Sequence, residues 1–341
     1  MEILSGELWN GTAFEEGYVV LEDGIVREVG YGSCPYEPSM KGCIMPGVVD
    51  GHTHLGDSGL KLDGRYDLLE LVAPPDGLKH RYLNGTPREK LVSDMGQYSS
   101  TLISNGASHL IDFREGGVDG ARMLREACPK ATILGRPVSK EFDPNEIDEI
   151  LDIADGIGIP GPTDLPQRYI DAIADAVHRK GKILSIHASE RVRDDIDKVL
   201  SIGPDFIVHM VQATDDDLRR CAEQDVPIVV CASSNTYFGM VPPIKRMIDV
   251  GVKVAMGTDN GMLSPTADMF DELSCFWHIL SEQGGKPSDA YTSLIAHGCD
   301  LLYASSLIGE QTGRKADLIV FPSESDSILR GKRTGRVRYG P

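Results

Sequence analysis

The stretch that decides the fold of this chain is Pro46-Gly47-Val48-Val49-Asp50-Gly51-His52-Thr53-His54. An apolar run from Cys43 to Val49 leads into two histidines at the point where a strand is expected to end. In extended backbone, residues i and i+2 project from the same face, so the side chains of His52 and His54 can converge on one metal ion. Neutral imidazole is the commonest metal ligand among side chains. The pair therefore predicts a metal site at the carboxyl end of a first strand.

After this stretch the chain alternates short apolar segments with helical patterns. Eight segments have strand character: 44–49, 108–113, 131–138, 156–159, 183–186, 206–208, 227–231 and 253–256. Helical patterns between them include 88–105, 167–180, 215–224 and 242–249. Repeated strand–helix units imply parallel strands, and eight units predict an α/β fold of the (β/α)8 TIM barrel type. An open doubly wound sheet is the alternative, and it is disfavoured because no glycine-rich dinucleotide fingerprint follows an early strand.

Both ends of the chain have a different pattern from its middle. Residues 1–45 contain short β segments separated by Asn10-Gly11 and Asp23-Gly24, and strand patterns return at 316–321 and 334–339. We therefore expect a small accessory β-sandwich domain made of residues 1–45 and 306–341, and a barrel made of residues 46–305. The stretch 56–87, rich in Gly, Pro and Asp, is too long for a simple connection, which predicts a lid or binding loop. Disorder is the alternative for that stretch.

Composition narrows the class of protein. The chain has 341 residues and a net charge of -18, which disfavours nucleic acid and anionic membrane as partners. Its 7 cysteines are dispersed without a CxxC pair, which is typical of reduced intracellular thiols. The first residues do not resemble a secretory signal, and no apolar run is long enough to span a bilayer. We expect a cytoplasmic protein that acts on a small-molecule substrate.

Three later strand ends carry further metal-binding side chains. His187 follows segment 183–186, His209 follows 206–208, and Asp259 follows 253–256. Active sites of barrels lie at the carboxyl ends of the strands, so these side chains should face His52 and His54 across the barrel mouth. A single histidine at a strand end is more often structural, but five such residues at four strand ends favour a metal site. The remaining histidines receive no role: His80, His109, His178, His278 and His297.

These residues resemble the amidohydrolase superfamily, and specifically its mononuclear branch of cytosine, guanine and S-adenosylhomocysteine deaminases and chlorohydrolases. The resemblance rests on Pro46-Gly47, His52-Thr53-His54, His187-Ala188-Ser189-Glu190, His209, Ser234-Asn235 and Gly257-Thr258-Asp259, in the order expected for that family. The segment 308–320 also resembles the return of such chains to their accessory domain.

The resemblance implies one divalent metal ion held by His52, His54, His187 and Asp259. It also implies that Glu190 is a proton shuttle and that His209 hydrogen-bonds the metal-bound water. A bound metal lowers the pKa of its water to about 7, and carboxyl groups at 190 and 259 can then move protons. The alternative for Glu190 is a helix N-terminal acid that offsets the helix dipole.

Departures from the family pattern bear on the metal and the assembly. Binuclear relatives carry a lysine at the end of strand four, whereas segment 155–161 has none, which favours one metal. Gln212 stands where relatives of this branch often have a second histidine. Three imidazoles and a carboxylate suit Zn²⁺, and Fe²⁺ and Mn²⁺ are accommodated by similar ligands. The resemblance also implies a homodimer.

Other polar residues near strand ends are candidates for binding substrate. Arg114 follows strand two, Arg136 lies near the end of strand three, and Asn235 follows strand seven. Either guanidinium can bind a carboxylate or carbonyl through its planar donor fork. The alternatives are an internal ion pair of Arg114 with Asp112 or Glu115, and a structural role for Asn235 in its loop.

Three functions remain open at this stage. The first is hydrolysis of a non-peptide C–N bond, as in deamination of a heterocyclic amine by a metal-activated water. The second is cleavage of a cyclic or linear amide, as in imidazolonepropionase-like relatives with a similar ligand set. The third is a non-catalytic barrel used as an assembly scaffold, which the complete set of candidate ligands disfavours.

Overall fold

The computed structural model describes residues 1–73 and 76–340, whose strands form two sheets. In chain order the strands are β1 (Glu2–Trp9), β2 (Phe14–Glu22), β3 (Ile25–Tyr31), β4 (Met40–Pro46), β5 (Val48–His54), β6 (Ala107–Arg114), β7 (Thr132–Gly135), β8 (Gly156–Ile159), β9 (Ile183–Ala188), β10 (Phe206–His209), β11 (Ile228–Val230), β12 (Val254–Met256), β13 (Asp259–Asn260), β14 (Leu318–Phe321) and β15 (Val337–Tyr339).

Helices connect most of the strands from β5 onward. They are α1 (Leu68–Val72), α2 (Leu78–Gly85), α3 (Arg88–Ser104), α4 (Gly117–Ala127), α5 (Pro144–Ile153), α6 (Gln167–Arg179), α7 (Ile196–Ser201), α8 (Asp215–Glu223), α9 (Ala232–Tyr237), α10 (Ile244–Asp249), α11 (Met269–Glu282), α12 (Pro287–Tyr291), α13 (Gly298–Asp300) and α14 (Ser325–Leu329). The predicted helices 88–105, 167–180 and 215–224 each end one residue early, because their final residue is the C-cap. None of the helices in the described ranges is long and apolar enough to cross a membrane.

The larger sheet is parallel and curled. Its nine strands follow the order β12-β11-β10-β9-β8-β7-β6-β5-β13. Only Gly257 and Thr258 separate β12 from β13, and β13 pairs with β5 through Asp259 beside Thr53. Within this sheet, β13 is the last strand in chain order and β5 is the first, so the first and last strands lie side by side. The fold is α/β and consistent with a TIM-like barrel.

An apolar cluster fills the inside of the curled sheet. Phe113, Phe206, Val208 and Val229 are buried there together. Gly158 of β8 makes room for Phe113, because a Cβ at that position would lie 2.3 Å from the ring. The Phe113 ring meets the His52 ring edge to face, with centroids 4.5 Å apart. Close packing below His52 therefore forms the floor of the candidate site.

The predicted strand 44–49 is wrong in its limits, because it spans two strands of different sheets. Gly47 N donates to Asp317 O in the smaller sheet, whereas Val48 N donates to Gly106 O in the larger one. A Cβ at Gly47 would lie 2.4 Å from the Asp317 carboxylate, so glycine is required where the chain crosses. His52 and His54 consequently lie within β5 and not beyond its end.

The smaller sheet contains strands from both ends of the chain. Its six strands follow the order β15-β14-β4-β1-β2-β3. The antiparallel pairing of β14 with β4 joins the two ends through Leu318 beside Pro46. The accessory β domain was expected to be a sandwich, and within the described ranges its strands form this one sheet.

Residues 55–85, which we call the excursion, contain α1 and α2 where a long loop was predicted. A capping box begins α1, since Asp67 accepts from Glu70 N and the Glu70 side chain accepts from Asp67 N. Pro74 and Pro75, which belong to the predicted loop, lie outside the described residues.

Helix α8 begins with a clamp that links it to the segment after β9. Asp217 accepts two hydrogen bonds of 2.7 Å from Arg193 and one of 2.9 Å from Thr214 N. The hydrogen bond from Arg193 is the largest cause that holds the pKa of Asp217 at about 2. A bidentate charged contact and a helix cap thus meet at one buried carboxylate.

We predict that Asp217→Asn lowers the free energy of unfolding by about 1–2 kcal/mol at pH 7, through loss of the charged contact and the cap. The folded-state pKa lies below the unfolded value of about 3.9. The contribution is therefore complete above that value and disappears as the pH falls toward 2. Denaturant unfolding of both proteins between pH 7 and 2 measures this difference. The exposed Asp216→Asn is the control, and an equal effect of both substitutions would contradict the prediction.

Candidate metal centre

Four side chains from three parts of the larger sheet converge at the carboxyl ends of its strands. His52 and His54 come from β5, His187 from β9 and Asp259 from β13. His52 Nε2 lies 3.2 Å from His187 Nε2 and 3.4 Å from Asp259 Oδ1. His54 Nε2 lies 3.7 Å from the same Asp259 oxygen. The structure therefore brings the four predicted ligands together.

Unusual backbone conformations accompany this convergence. Ser189, His209, Met210 and Asp259 have positive φ angles of 49°, 77°, 53° and 62°. Such conformations cost about 1–3 kcal/mol each in non-glycine residues and cluster at functional sites. Here they turn the chain just after β9 and β10 and at the start of β13, so that polar side chains face the centre.

Backbone carbonyls orient two of the imidazoles. His54 Nδ1 lies 3.0 Å from Phe113 O, and His187 Nδ1 lies 3.2 Å from Ile159 O. A carbonyl can only accept, so Nδ1 carries the proton in both rings and each Nε2 keeps a lone pair. These are the nitrogens that point toward Asp259 and His52. Metal-binding histidines in proteins are oriented in this way.

The charges of the cluster fit a divalent cation. Burial lowers the pKa of His52 to about 3, and burial together with the neighbouring imidazoles lowers the pKa of His187 well below its usual value. Burial opposes ionisation of Asp259, but its hydrogen bond to His52 and the nearby imidazoles hold its pKa well below the usual range. An ionised carboxylate among neutral imidazoles, with facing donor atoms 3.2 to 3.7 Å apart, is an arrangement that a divalent cation can bridge. The donor set therefore fits a metal ion.

Contacts behind Asp259 fix its position. Asp259 Oδ2 accepts from Ser234 Oγ at 2.5 Å, and Oδ1 accepts from Asn260 Nδ2 at 2.9 Å. The preceding Thr258 donates from both its N and its Oγ1 to Asp50, at 2.9 and 2.7 Å. The turn from β12 into β13 is thereby tied to β5, the strand that carries His52 and His54.

Cys231 lies at the centre and was not anticipated from the sequence. Its Sγ lies within 4.8 Å of donor atoms of His209 and Asp259. Burial raises the pKa of the Cys231 thiol well above its usual value. The same residue belongs to the apolar cluster that contains Phe113 and Val229, inside the curled sheet.

Glu190, His209 and Asn235 form a second polar group beside the four side chains. Asn235 Nδ2 lies 3.5 Å from Glu190 Oε1 and 3.4 Å from His209 Nδ1. His209 Nε2 lies 3.7 Å from Glu190 Oε1. Burial raises the pKa of Glu190, which favours its protonated form. The carboxyl group of Glu190 faces the cavity, whereas Asn235 is buried behind it.

A cavity of about 200 Å³ opens above the cluster. The excursion forms one wall of it with Leu68, Leu69, Val72, Lys79 and His80. Arg136 and Asp164 lie on the wall as well. Lys79, His80 and Asp164 were missed at the level of sequence, although Lys79 and His80 fall in the stretch predicted to be a lid or binding loop.

The three predicted substrate-binding residues are placed differently. Arg136 lines the cavity, but Arg114 and Asn235 are not among its lining residues. Arg114 is buried, and its Nε donates to Glu115 O at 2.9 Å. Gly56 lies against the Arg114 guanidinium, since a Cβ there would come within 1.8 Å of Nη1. Arg114 is therefore surrounded by protein, which agrees with the alternative of an internal role and not with substrate binding.

Comparison with known proteins identifies the family. The model of the amidohydrolase family matches residues 43–336. The chain belongs to the amidohydrolase family. This confirms the resemblance carried by the histidine and aspartate motifs, and it makes the protein a hydrolase of C–N bonds.

Similar sequences cover most of the chain. An uncharacterised protein of Methanocaldococcus jannaschii is 31% identical over 97% of this chain and 92% of its own length. A putative aminohydrolase of Methanothermobacter thermautotrophicus is 32% identical over 75% of this chain and 73% of its own. An imidazolonepropionase of Brevibacillus brevis is 24% identical over 90% and 84%.

Solved structures show the same fold. Guanine deaminase of C. acetobutylicum with bound guanine has a TM-score of 0.73 at 17% identity, over 94% of this chain and 90% of that one. An adenosine deaminase of Xanthomonas campestris with bound zinc has a TM-score of 0.73 at 15% identity, over 98% and 87%. The likeness extends over nearly the whole chain and concerns its fold.

We predict that His52→Ala reduces bound metal from about one ion per chain to a small fraction, because it removes one of the converging donors. Metal content is measured by mass spectrometry of the purified protein. The metal-loaded wild type should also unfold at higher temperature than the chelator-treated protein, and His52→Ala should show no such difference. The control is His278→Ala, at an exposed histidine of α11. Equal metal content in all three proteins would contradict the prediction.

Proposed function

We propose that this protein is a metal-dependent hydrolase that deaminates a heterocyclic amine. The observation that carries the proposal is the convergence of His52, His54, His187 and Asp259 directly below a cavity into which Glu190 faces. Hydrolytic deamination requires ligands for a metal ion that activates water, and a carboxyl group that can donate a proton. As part of this proposal, the curled sheet is a closed (β/α)8 barrel of residues 46–305, and residues 1–45 and 306–341 are its accessory domain.

The four converging side chains would hold one divalent ion. When bound, such an ion lowers the pKa of a water molecule to about 7 and so supplies a hydroxide at neutral pH. The bound zinc of the Xanthomonas enzyme supports Zn²⁺, and Fe²⁺ and Mn²⁺ suit similar ligands. The residues that end β8 include no lysine, which supports a single ion.

Three residues would handle protons and the developing charge. Asp259 accepts a proton from the water through Oδ1. Glu190, whose pKa is raised by burial, holds a proton and donates it to a ring nitrogen or to the departing amine. His209 lies against Glu190 and donates a hydrogen bond to the oxygen that attacks the substrate. Asn235 keeps Glu190 and His209 in place from behind.

The cavity supports a compact substrate. Its volume of about 200 Å³ is below the range of roughly 300–1,000 Å³ usual for drug-sized ligands. Arg136 on its wall would bind a carbonyl or carboxylate of that substrate through its planar donor fork. Arg136 is half-buried, and burial lowers the pKa of its guanidinium.

Cleavage of a cyclic or linear amide is the second candidate function. The similarity to an imidazolonepropionase favours it, and the same ligands and the same water would serve that reaction. The two reactions differ in whether the leaving nitrogen lies outside or inside the ring. A non-catalytic scaffold is disfavoured, since a scaffold gains nothing from buried ligands held in strained backbone.

We predict that the zinc-loaded protein releases ammonia from at least one member of a panel of purines, pyrimidines and pterins. Ammonia is measured with a coupled assay, and ring opening of cyclic amides is followed in parallel by absorbance. The His52→Ala protein, treated in the same way, is the control for contaminating activity. If amides are hydrolysed and no heterocycle releases ammonia, the deaminase proposal is wrong and amide cleavage, the second candidate function, is supported.

We predict that Glu190→Gln lowers kcat by about 10²–10⁴-fold, because the amide cannot deliver a proton to the leaving nitrogen. Metal content should be unchanged, as Glu190 is not among the four converging donors. The matched control is Glu282→Gln, whose carboxylate is exposed on α11. A Glu190→Gln protein with wild-type kcat would exclude the shuttle role.

A further inference from the structure

Lys79 of α2 is a buried lysine that the proposed mechanism does not use. Only 3% of its surface is exposed. Its Nζ lies 2.6 Å from Glu115 Oε1, 3.0 Å from Asn260 Oδ1 and 3.4 Å from Asp57 Oδ2. A lysine head group has three N–H donors, and here three oxygens from three separate segments surround it.

Two of these partners each contact a candidate metal ligand. Glu115 Oε1 lies 2.9 Å from His54 Nδ1, the nitrogen opposite the one that faces the cluster. Asn260 donates through Nδ2 to Asp259 Oδ1 at 2.9 Å, while its own Oδ1 accepts from Lys79. One side chain of the excursion is therefore a single residue away from both His54 and Asp259.

Lys79 also balances buried negative charge. Asp57 and Glu115 are 0% and 5% exposed. The Lys79 ammonium lies within 3.4 Å of a carboxylate oxygen of each, and Arg114 Nη2 lies 3.8 Å from Glu115 Oε2. Two buried carboxylates are costly without a cation, and α2 supplies that cation as Lys79.

We propose that Lys79 is a positioning residue through which the placement of α2 sets the geometry of the metal centre. Through Glu115 it orients the His54 ring, and through Asn260 it fixes the Asp259 carboxylate. The wall of the cavity and the ligand set are thereby completed by the same contact. The inference rests on the metal centre of the proposed function and is independent of which substrate is hydrolysed.

The geometry distinguishes this role from simple charge compensation. Arginine keeps a positive charge, but its planar fork cannot reproduce a compact ammonium that donates to Asn260 Oδ1 and lies 2.6 and 3.4 Å from the carboxylates of Glu115 and Asp57. Lys79→Arg should therefore restore stability more than it restores the metal centre. Lys79→Met should lose both, because it removes the charge and every donor.

The test measures metal affinity and ligand geometry without relying on turnover. We expect Lys79→Met to bind Zn²⁺ about 10–100-fold more weakly in chelator competition, as is typical when a contact behind a ligand is lost. The visible spectrum of the Co²⁺-loaded protein should change in Lys79→Met and in Lys79→Arg. Lys61→Met, at an exposed lysine of the same excursion, should match the wild type in both measurements.

A second pair of variants keeps the proposal testable if Lys79→Met does not fold. Glu115→Gln and Asn260→Ala each interrupt one of the two routes, and each should alter the Co²⁺ spectrum. Wild-type affinity and spectra in the folded Lys79 variants, or in both of these variants, would overturn the proposal. A wild-type protein that binds no metal would instead refute the proposed function, so the two failures are distinguishable.

Discussion

The rest of the structure depends on one electrostatic constraint, the close approach of neutral imidazoles to a buried, ionised carboxylate. His52 Nε2 and His187 Nε2 are 3.2 Å apart, and Asp259 Oδ1 is 3.4 Å from the first of them. Burial removes the water that would otherwise hydrogen-bond to these groups and screen their charges. The protein therefore has to hold each ring and the carboxylate from behind. Backbone carbonyls, Ser234, Asn260 and the buried ion pairs around Lys79 serve this purpose, and the strained backbone at His209 and Asp259 shows its cost.

Holding the rings in place also requires a rigid floor. Phe113 packs under His52, and it fits only because Gly158 has no side chain. The hydrogen bonds above the rings and the apolar packing below them consequently depend on each other. A change in the volume of the core would shift the candidate metal ligands. The excursion completes the same arrangement from the solvent side. Apolar residues of α1 form part of the cavity wall, and Lys79 of α2 lines the same cavity.

Much of this could be predicted from residues whose spacing has a direct geometric meaning. The His52–His54 pair and the histidines and aspartate at later strand ends correctly predicted which side chains meet, because parallel strands end at one edge. The limits of the first strand could not be predicted, since Ile44 to Val49 reads as one apolar run and the hydrogen bonds change sheets at Gly47. Lys79 was not found because its partners are 22 and more residues away in the chain and the Gly- and Pro-rich stretch around it has no regular hydrophobic period. Homodimer formation rests on the resemblance alone.

The crossing at Gly47 has a consequence for biosynthesis. β4 needs β14 as its neighbour, and β5 needs β13, yet both partners are made long after them. During translation β4 can pair with β1 and β5 with β6, but the other edge of each strand has to wait for residues 318–321 and 259–260. Pairings between such distant segments form slowly, because the entropy of closing the loop is lost before any contact is gained. The candidate metal centre is accordingly complete only after Asp259 and the strand that carries it have been made.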